Sequence, residues 1–127
     1  MSIFIVNSLD SIWCDRSEQN DYACLSDVNG EHGVYIFRDP KNGDALYVGE
    51  SREQDLKTRV KQNFTENDTG GTFRKNFMKS ESQQFSDFKE FLNGKQLILL
   101  TLDKSMIITA LESILIFSLQ PIFNRNK

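Results

Sequence analysis

Soft metal ligands are scarce in this chain, which has two cysteines, Cys14 and Cys24, and a single histidine, His32. The cysteines form no CxxC pair, and a structural zinc would need two more soft ligands. The sequence therefore argues against structural zinc, and both cysteines read as reduced thiols. Long apolar runs are missing as well. The richest stretch, "LILLTLDKSMIITALESILIFSL", is interrupted by Asp103, Lys104 and Glu112, so no span approaches the ~20 residues of a membrane helix. The opening "MSIFIVNSLD" lacks a basic region followed by a long apolar core, so no secretory signal is expected and a cytoplasmic location is. Excess positive charge is absent too. A net charge of −3 runs against general adhesion to phosphate.

The 127 residues suffice for one compact domain with a hydrophobic core, and 39% hydrophobic with 26% charged residues is a soluble globular composition. The charge is unevenly spread. Residues 52–79 carry seven basic against four acidic side chains, a local +3 that leaves −6 for the remainder. Such a segment permits phosphate binding at one place while discouraging it elsewhere, although a mixed-charge solvated helix face gives the same count.

Two apolar runs, "GVYIF" and "ALYVGE", flank "RDPKNGD", where Pro40, Asn42 and Gly43 suit a tight turn, so a β-hairpin is expected. "SREQDLKTRVKQNF" spaces Leu56, Val60 and Phe64 four apart, a helical stripe with Ser51 as a candidate N-cap. One or two short amphipathic helices follow "NDTGG". "KQLILLTLD" reads as a strand buried on both faces, expected at the centre of the sheet. A last helix runs from about Lys104 to Leu119, before Pro121. The order ββααβα predicts an α+β fold: a small three-stranded β-sheet flanked by helices. Residues 1–29 read as an acidic N-terminal arm, with "IFIV" a short strand, "SLDSIWC" a helical turn and Trp13 its packing residue, and 30–127 as the domain.

Glu112 is anomalous. Its helical neighbours are Thr109, Ile108, Leu115 and Ile116, and a carboxylate in an apolar setting costs several kcal/mol unless paired, protonated or metal-bound. It either reaches solvent from the edge of that face or has a function. Arg59 lies one turn after Asp55 and is either half of a surface salt bridge or a functional cation. Tyr35 and Tyr47 suit strands whether or not they act.

Taken together, "GVY", then "YVG", Arg59 in "LKTRV", Glu112 and "PIFN" resemble the GIY-YIG nuclease family over roughly residues 30–124. Asn124 follows Glu112 by 12 positions, as in that family's E…P..N ending. The resemblance implies a metal-dependent DNA endonuclease hydrolysing phosphodiester bonds, acting on double-stranded or branched DNA. A single Mg²⁺ (or Mn²⁺) would have Glu112 as its only protein ligand. Arg59 would face a non-bridging phosphate oxygen. Tyr35 would be the general base, its phenol needing nearby positive charge to ionise near neutral pH. Tyr47 would hydrogen-bond the phosphate or the attacking water, and Asn124 would fix the C-terminal segment against the site. Gly33 and Gly49 would permit close backbone approach. Ser51, Lys57, Asn63, Arg74 and Lys75 would complete the substrate side, with a solvated helix start as the other reading of Arg74 and Lys75.

Two positions depart from the family pattern. Asn63 stands where many members carry a His or Tyr, and an amide can orient Tyr35 but cannot accept its proton. His32 is a candidate substitute relay or simply a loop histidine. Glu50, after "YVG", is acidic where many relatives place a basic or neutral residue. The alternative is a GIY-YIG-fold module that binds nucleic acid or protein with weak cleavage or none. The arm is a candidate dimerisation element, since one active site cuts one strand.

Overall fold

The computed structural model of the protein describes residues 14–15, 22–103 and 105–124. Trp13, the "IFIV" stretch and all of "SLDSIWC" but Cys14 lie outside them. Strands β2 (Gly33–Arg38) and β3 (Ala45–Ser51) form the expected antiparallel hairpin, pairing Gly33 with Ser51, Tyr35 with Gly49 and Phe37 with Tyr47. The turn closes through side chains that mimic backbone: Asp39 Oδ1 accepts from the Lys41 amide (3.0 Å) and Asn42 Oδ1 from that of Asp44 (2.9 Å).

β4 (Gln96–Thr101) pairs antiparallel with the other side of β2, and a two-residue strand β1 (Cys14–Asp15) meets β4 only at Leu97 and Gln96. The sheet order β1-β4-β2-β3 therefore corrects one expectation. β2, and not the "KQLILLTLD" strand, has full-length partners on both edges. An apolar run reports what lies above and below a strand, which says nothing of its neighbours within the sheet.

The period-two alternation sorts side chains between two layers. Tyr35, Phe37, Tyr47, Leu97 and Leu99 face one core with Leu56 and Val60 of α1 (Leu56–Lys61), Phe73 and Phe77 of α2 (Thr72–Glu81) and Phe88 of α3 (Phe85–Phe91). Val34, Ile36, Val48 and Leu100 face the other, under Ile108, Leu111, Leu115 and Ile116 of α4 (Ser105–Leu119). Met106, Ile114 and Phe117 of α4 point outward. Three helices separate β3 from β4 where the order ββααβα counted two. The split between α2 and α3 falls at Ser82, a left-handed C-cap (φ 54°) whose amide donates to the Met78 carbonyl, followed by a capping box of Gln84 and Asp87.

The boundary expected after residue 29 does not separate packing units. Tyr22, Leu25 and Val28 belong to the first core, and the Tyr22 hydroxyl donates to the Lys95 carbonyl (3.1 Å). Ser51 does not cap α1 either. It remains in β3 opposite Gly33, its hydroxyl donating to the Gln54 carbonyl, while Asp55 is the N-cap, accepting from the Thr58 amide at 2.9 Å and the Gly30 amide at 2.8 Å. Among the described residues no helix is long and apolar enough to cross a membrane.

Hydrogen bonds from Thr58 and from the Gly30 amide hold the Asp55 carboxyl below its ordinary range. Their stabilisation is complete above that range and lost as pH falls through the folded value. Asp55→Ala is expected to lower stability at pH 7 by about 1–2 kcal/mol in urea titrations, with a smaller deficit in acid. An unchanged urea midpoint at pH 7 contradicts this.

Candidate active site

Tyr35 sits mid-β2 facing the first core, and Gly49 is its partner across the hairpin. A Cβ at Gly49 would lie 2.3 Å from both Oη and Cζ of Tyr35, so only glycine lets the phenol lie across β3. At Gly33 a Cβ would meet the Leu100 carbonyl oxygen at 1.8 Å, which keeps β2 and β4 close. Two residues before Gly49, Tyr47 places its ring 6.1 Å from that of Tyr35 and stacks on Phe73 at 5.1 Å and 6°. Both phenols are buried, with 1% and 6% of their surface exposed. Burial raises both above the ordinary tyrosine value, because a phenolate there loses its water; Arg59 pulls both down, and the two rings oppose each other's ionisation.

Arg59 reaches this pair from α1. Its Nη1 donates to Gln62 Oε1 (2.9 Å) and the Gly70 carbonyl (2.8 Å), and Nε to the Glu50 carbonyl (3.4 Å) at the end of β3. Asp55 is engaged in capping, so a surface pair with Asp55 does not explain Arg59. The guanidinium is braced on three sides, and its Nη2 has no hydrogen bond among the described residues. It opens on a groove with Glu50, Arg52, Gln62 and Thr69. Gln62, one turn beyond Arg59, is a positioning residue that motif reading missed. Only its i+3 spacing points to it.

Asn63 is fully buried beside Tyr35. Its Oδ1 accepts from the Arg74 amide (3.1 Å), which turns the Nδ2 side toward the Val60 carbonyl (3.3 Å) and the phenol. The hydrogen bond Asn63 makes to Tyr35 favours the ionised phenol. The amide therefore orients Tyr35 and cannot take its proton. Arg74 is not on the groove. It is 97% buried, and its guanidinium donates to the carbonyls of Gln62 (2.8 Å), Thr65 and Asp68, tying down the segment before α2. Lys75 is exposed, with Nζ on the Thr69 carbonyl at 3.1 Å, and Lys57 stands half-buried on α1. His32 sits by Asp55, whose negative charge it favours; its Nδ1 has no hydrogen-bond partner among the described residues.

Glu112 comes from α4, across the sheet from the phenols, and is half-buried. Burial raises its carboxyl above the ordinary value, the charge of Glu50 raises it further, and Arg52 and Arg59 oppose both. A carboxylate kept in an apolar setting with incomplete compensation suits a cation. No cluster of three or more His, Cys, Asp or Glu exists among the described residues; a carboxylate oxygen such as that of Glu112 is the ligand type a hard divalent ion takes. Asn124 clamps the outer edge of β3: Nδ2 donates to the Val48 carbonyl and Oδ1 accepts from the Val48 amide, both at 2.7 Å. The Phe123 amide adds a bond to the Leu46 carbonyl (2.8 Å), and Asn76 of α2 donates to the Phe123 carbonyl (2.8 Å).

Two phenols, a braced guanidinium and a half-buried carboxylate are thus electrically coupled at one end of the β-hairpin. The GIY-YIG catalytic domain family matches residues 31–116, more than half of the chain, and the protein belongs to that family of nucleases. No curated protein and no solved structure matches the chain.

Two outcomes follow from this geometry. A raised carboxyl favours its protonated form in the folded state, so stability from Glu112 is full below the ordinary carboxylate range and lost as pH rises through the folded value. Glu112→Gln should therefore melt higher than wild type at pH 7, with the gap closing below about pH 4. Equal melting temperatures at pH 7 contradict this. Asn63→Ala strands the buried Arg74 amide and should lose about 1–3 kcal/mol in urea titrations. Stability within error of wild type would remove Asn63 from the packing described.

Proposed function

We propose that the protein is a divalent-metal-dependent DNA endonuclease that hydrolyses phosphodiester bonds. The observation that carries this reading is the electrical coupling of Tyr35 and Tyr47 to both Arg59 and Glu112, groups from four elements and both faces of the sheet. Hydrolysis needs an activated water, neutralisation of charge on the phosphoryl oxygens and stabilisation of the leaving oxygen. Arg59 supplies Nη2 to a non-bridging oxygen, from a guanidinium already fixed by Gln62 and the Gly70 carbonyl. Tyr35, as the phenolate after releasing its own proton to solvent, accepts the proton of the attacking water while Asn63 orients the phenol oxygen. Tyr47 donates to the phosphate. Glu112 would hold Mg²⁺ or Mn²⁺, which when bound supplies Lewis-acid charge neutralisation at the phosphate. Ser51 lines the groove, Lys57 and Lys75 would add positive charge for more distant phosphates, and Asn124 would keep β3 in register under the phosphate.

Burial of Tyr35 favours a second reading, a domain that grips nucleic acid without cutting it, because the phenol by itself stays protonated. Plasmid, branched and single-stranded DNA incubated with Mg²⁺ or Mn²⁺ separates the two. The endonuclease predicts nicked product, lost with Glu112→Ala and reduced about 10²–10³-fold by Arg59→Ala. Absence of product on every substrate, or nicking by Glu112→Ala at the wild-type rate, overturns it, and gel-shift binding without product selects the second reading. Double-strand cuts would need two copies. The arm at residues 1–29 is our candidate for pairing them, which light scattering on the full chain and on one starting at Asn29 decides.

A further inference from the structure

Glu50 places a carboxylate directly after "YVG", and its surroundings are unusual. Its side chain leaves β3 on the same face as Val48, the face covered by α4, and so on the side of Glu112. It is only 20% exposed, and its Oε2 is out of contact with solvent and accepts no hydrogen bond. Among the described residues the one cation that touches it is Arg52, whose Nε pairs with that same oxygen. Arg52 is 48% exposed, tethered two residues along the chain, and close enough to Glu112 to favour that residue's charge as well. A guanidinium thus stands among two carboxylates, held at one of them by an oxygen that has no other partner. Arg59 makes no ion pair with Glu50; its Nη1 is held by Gln62 and the Gly70 carbonyl.

From this juxtaposition we infer that Glu50 is a second carboxylate of the metal site, and that Arg52 is the counter-ion that neutralises Glu50 and Glu112 until a divalent cation replaces it. The inference rests on the metal-dependent reading of Glu112 above. It assigns Glu50 a constructive role where its charge would otherwise only repel phosphate. It also makes the acidic substitution after "YVG" and the half-exposed arginine two parts of one device. A cation bound there meets one strand carboxylate and one helix carboxylate, so its grip joins β3 to α4. A cation that displaces the Arg52 side chain frees an arginine at the rim of the groove, beside Arg59.

Opposite signs test this. Mn²⁺ affinity is measured on the full chain without DNA, by calorimetry and by the electron paramagnetic signal of bound Mn²⁺, with folding checked by circular dichroism. Glu50→Gln should weaken Mn²⁺ binding about tenfold or more, whereas Arg52→Gln, which removes the competing cation, should tighten it about two- to fivefold. Wild-type affinity in both variants, with binding lost in Glu112→Gln, overturns the inference and leaves the metal-dependent reading standing. Wild-type affinity in Glu112→Gln overturns both. Should Glu50→Gln fail to fold, Arg52→Gln decides alone: tighter binding supports the counter-ion role, and unchanged or weaker binding refutes it.

Discussion

The pairing of a phenol with a glycine across one hairpin governs the rest of this molecule. Tyr35 occupies space above β3 that any side chain at position 49 would take, so the β2–β3 register cannot slip without expelling the ring. That register sets Tyr47 beside Tyr35, puts Ser51 opposite Gly33 and ends β3 where Arg59 can rest on the Glu50 carbonyl. Phe73 then stacks on Tyr47 and also contacts Phe37, Phe88 and Phe123, which seats α2, α3 and the C-terminal segment around the same two phenols. Site and core are one structure here.

The electrostatics of that arrangement are more economical than a charge count suggests. Seven basic residues fall between positions 52 and 79, and they are not gathered at one groove. Arg74 turns inward to the carbonyls of Gln62, Thr65 and Asp68, each of which also accepts a backbone amide, and Lys75 rests on a loop carbonyl. Arg52 and Arg59 are the two that stand at the groove. Against them are set Glu112 and two buried phenols, whose ionisation burial opposes, with Glu50 adding negative charge beside Glu112. Such a site is poor in compensation by itself, and it favours positive charge brought from outside.

Features that depend on nearby residues could be read from the sequence. The hairpin follows from its turn chemistry, the Leu56 and Val60 stripe from spacing, and Glu112 stood out because periodicity placed a carboxylate among apolar neighbours. Features that depend on distant partners could not. Ser51 and Asp55 are equally good N-caps on paper, and the choice falls to Asp55 because Gly33 holds Ser51 in the sheet. Whether Arg74 contacts phosphate or its own chain depends on where the 62–68 carbonyls go. The position of β4 in the sheet was hidden because burial above and below looks the same at any strand. Gln62 lacked any signal beyond its spacing from Arg59, since an amide that braces a guanidinium resembles any surface glutamine.

The C-terminal segment 122–124 makes a contribution of a different kind. Ile122, Phe123 and Asn124 hydrogen-bond to Ala45, Leu46 and Val48 along the outer side of β3, the open margin of the sheet. The segment acts as a selvedge: it occupies backbone groups that would otherwise recruit a strand from another molecule. The family match ends at residue 116, short of this segment. A chain stopped there would keep both phenols, the guanidinium and the carboxylate, yet leave an unpaired margin beside them open to association with other molecules. In this protein, the boundary of the chemistry and the boundary of a well-behaved solution particle fall at different residues.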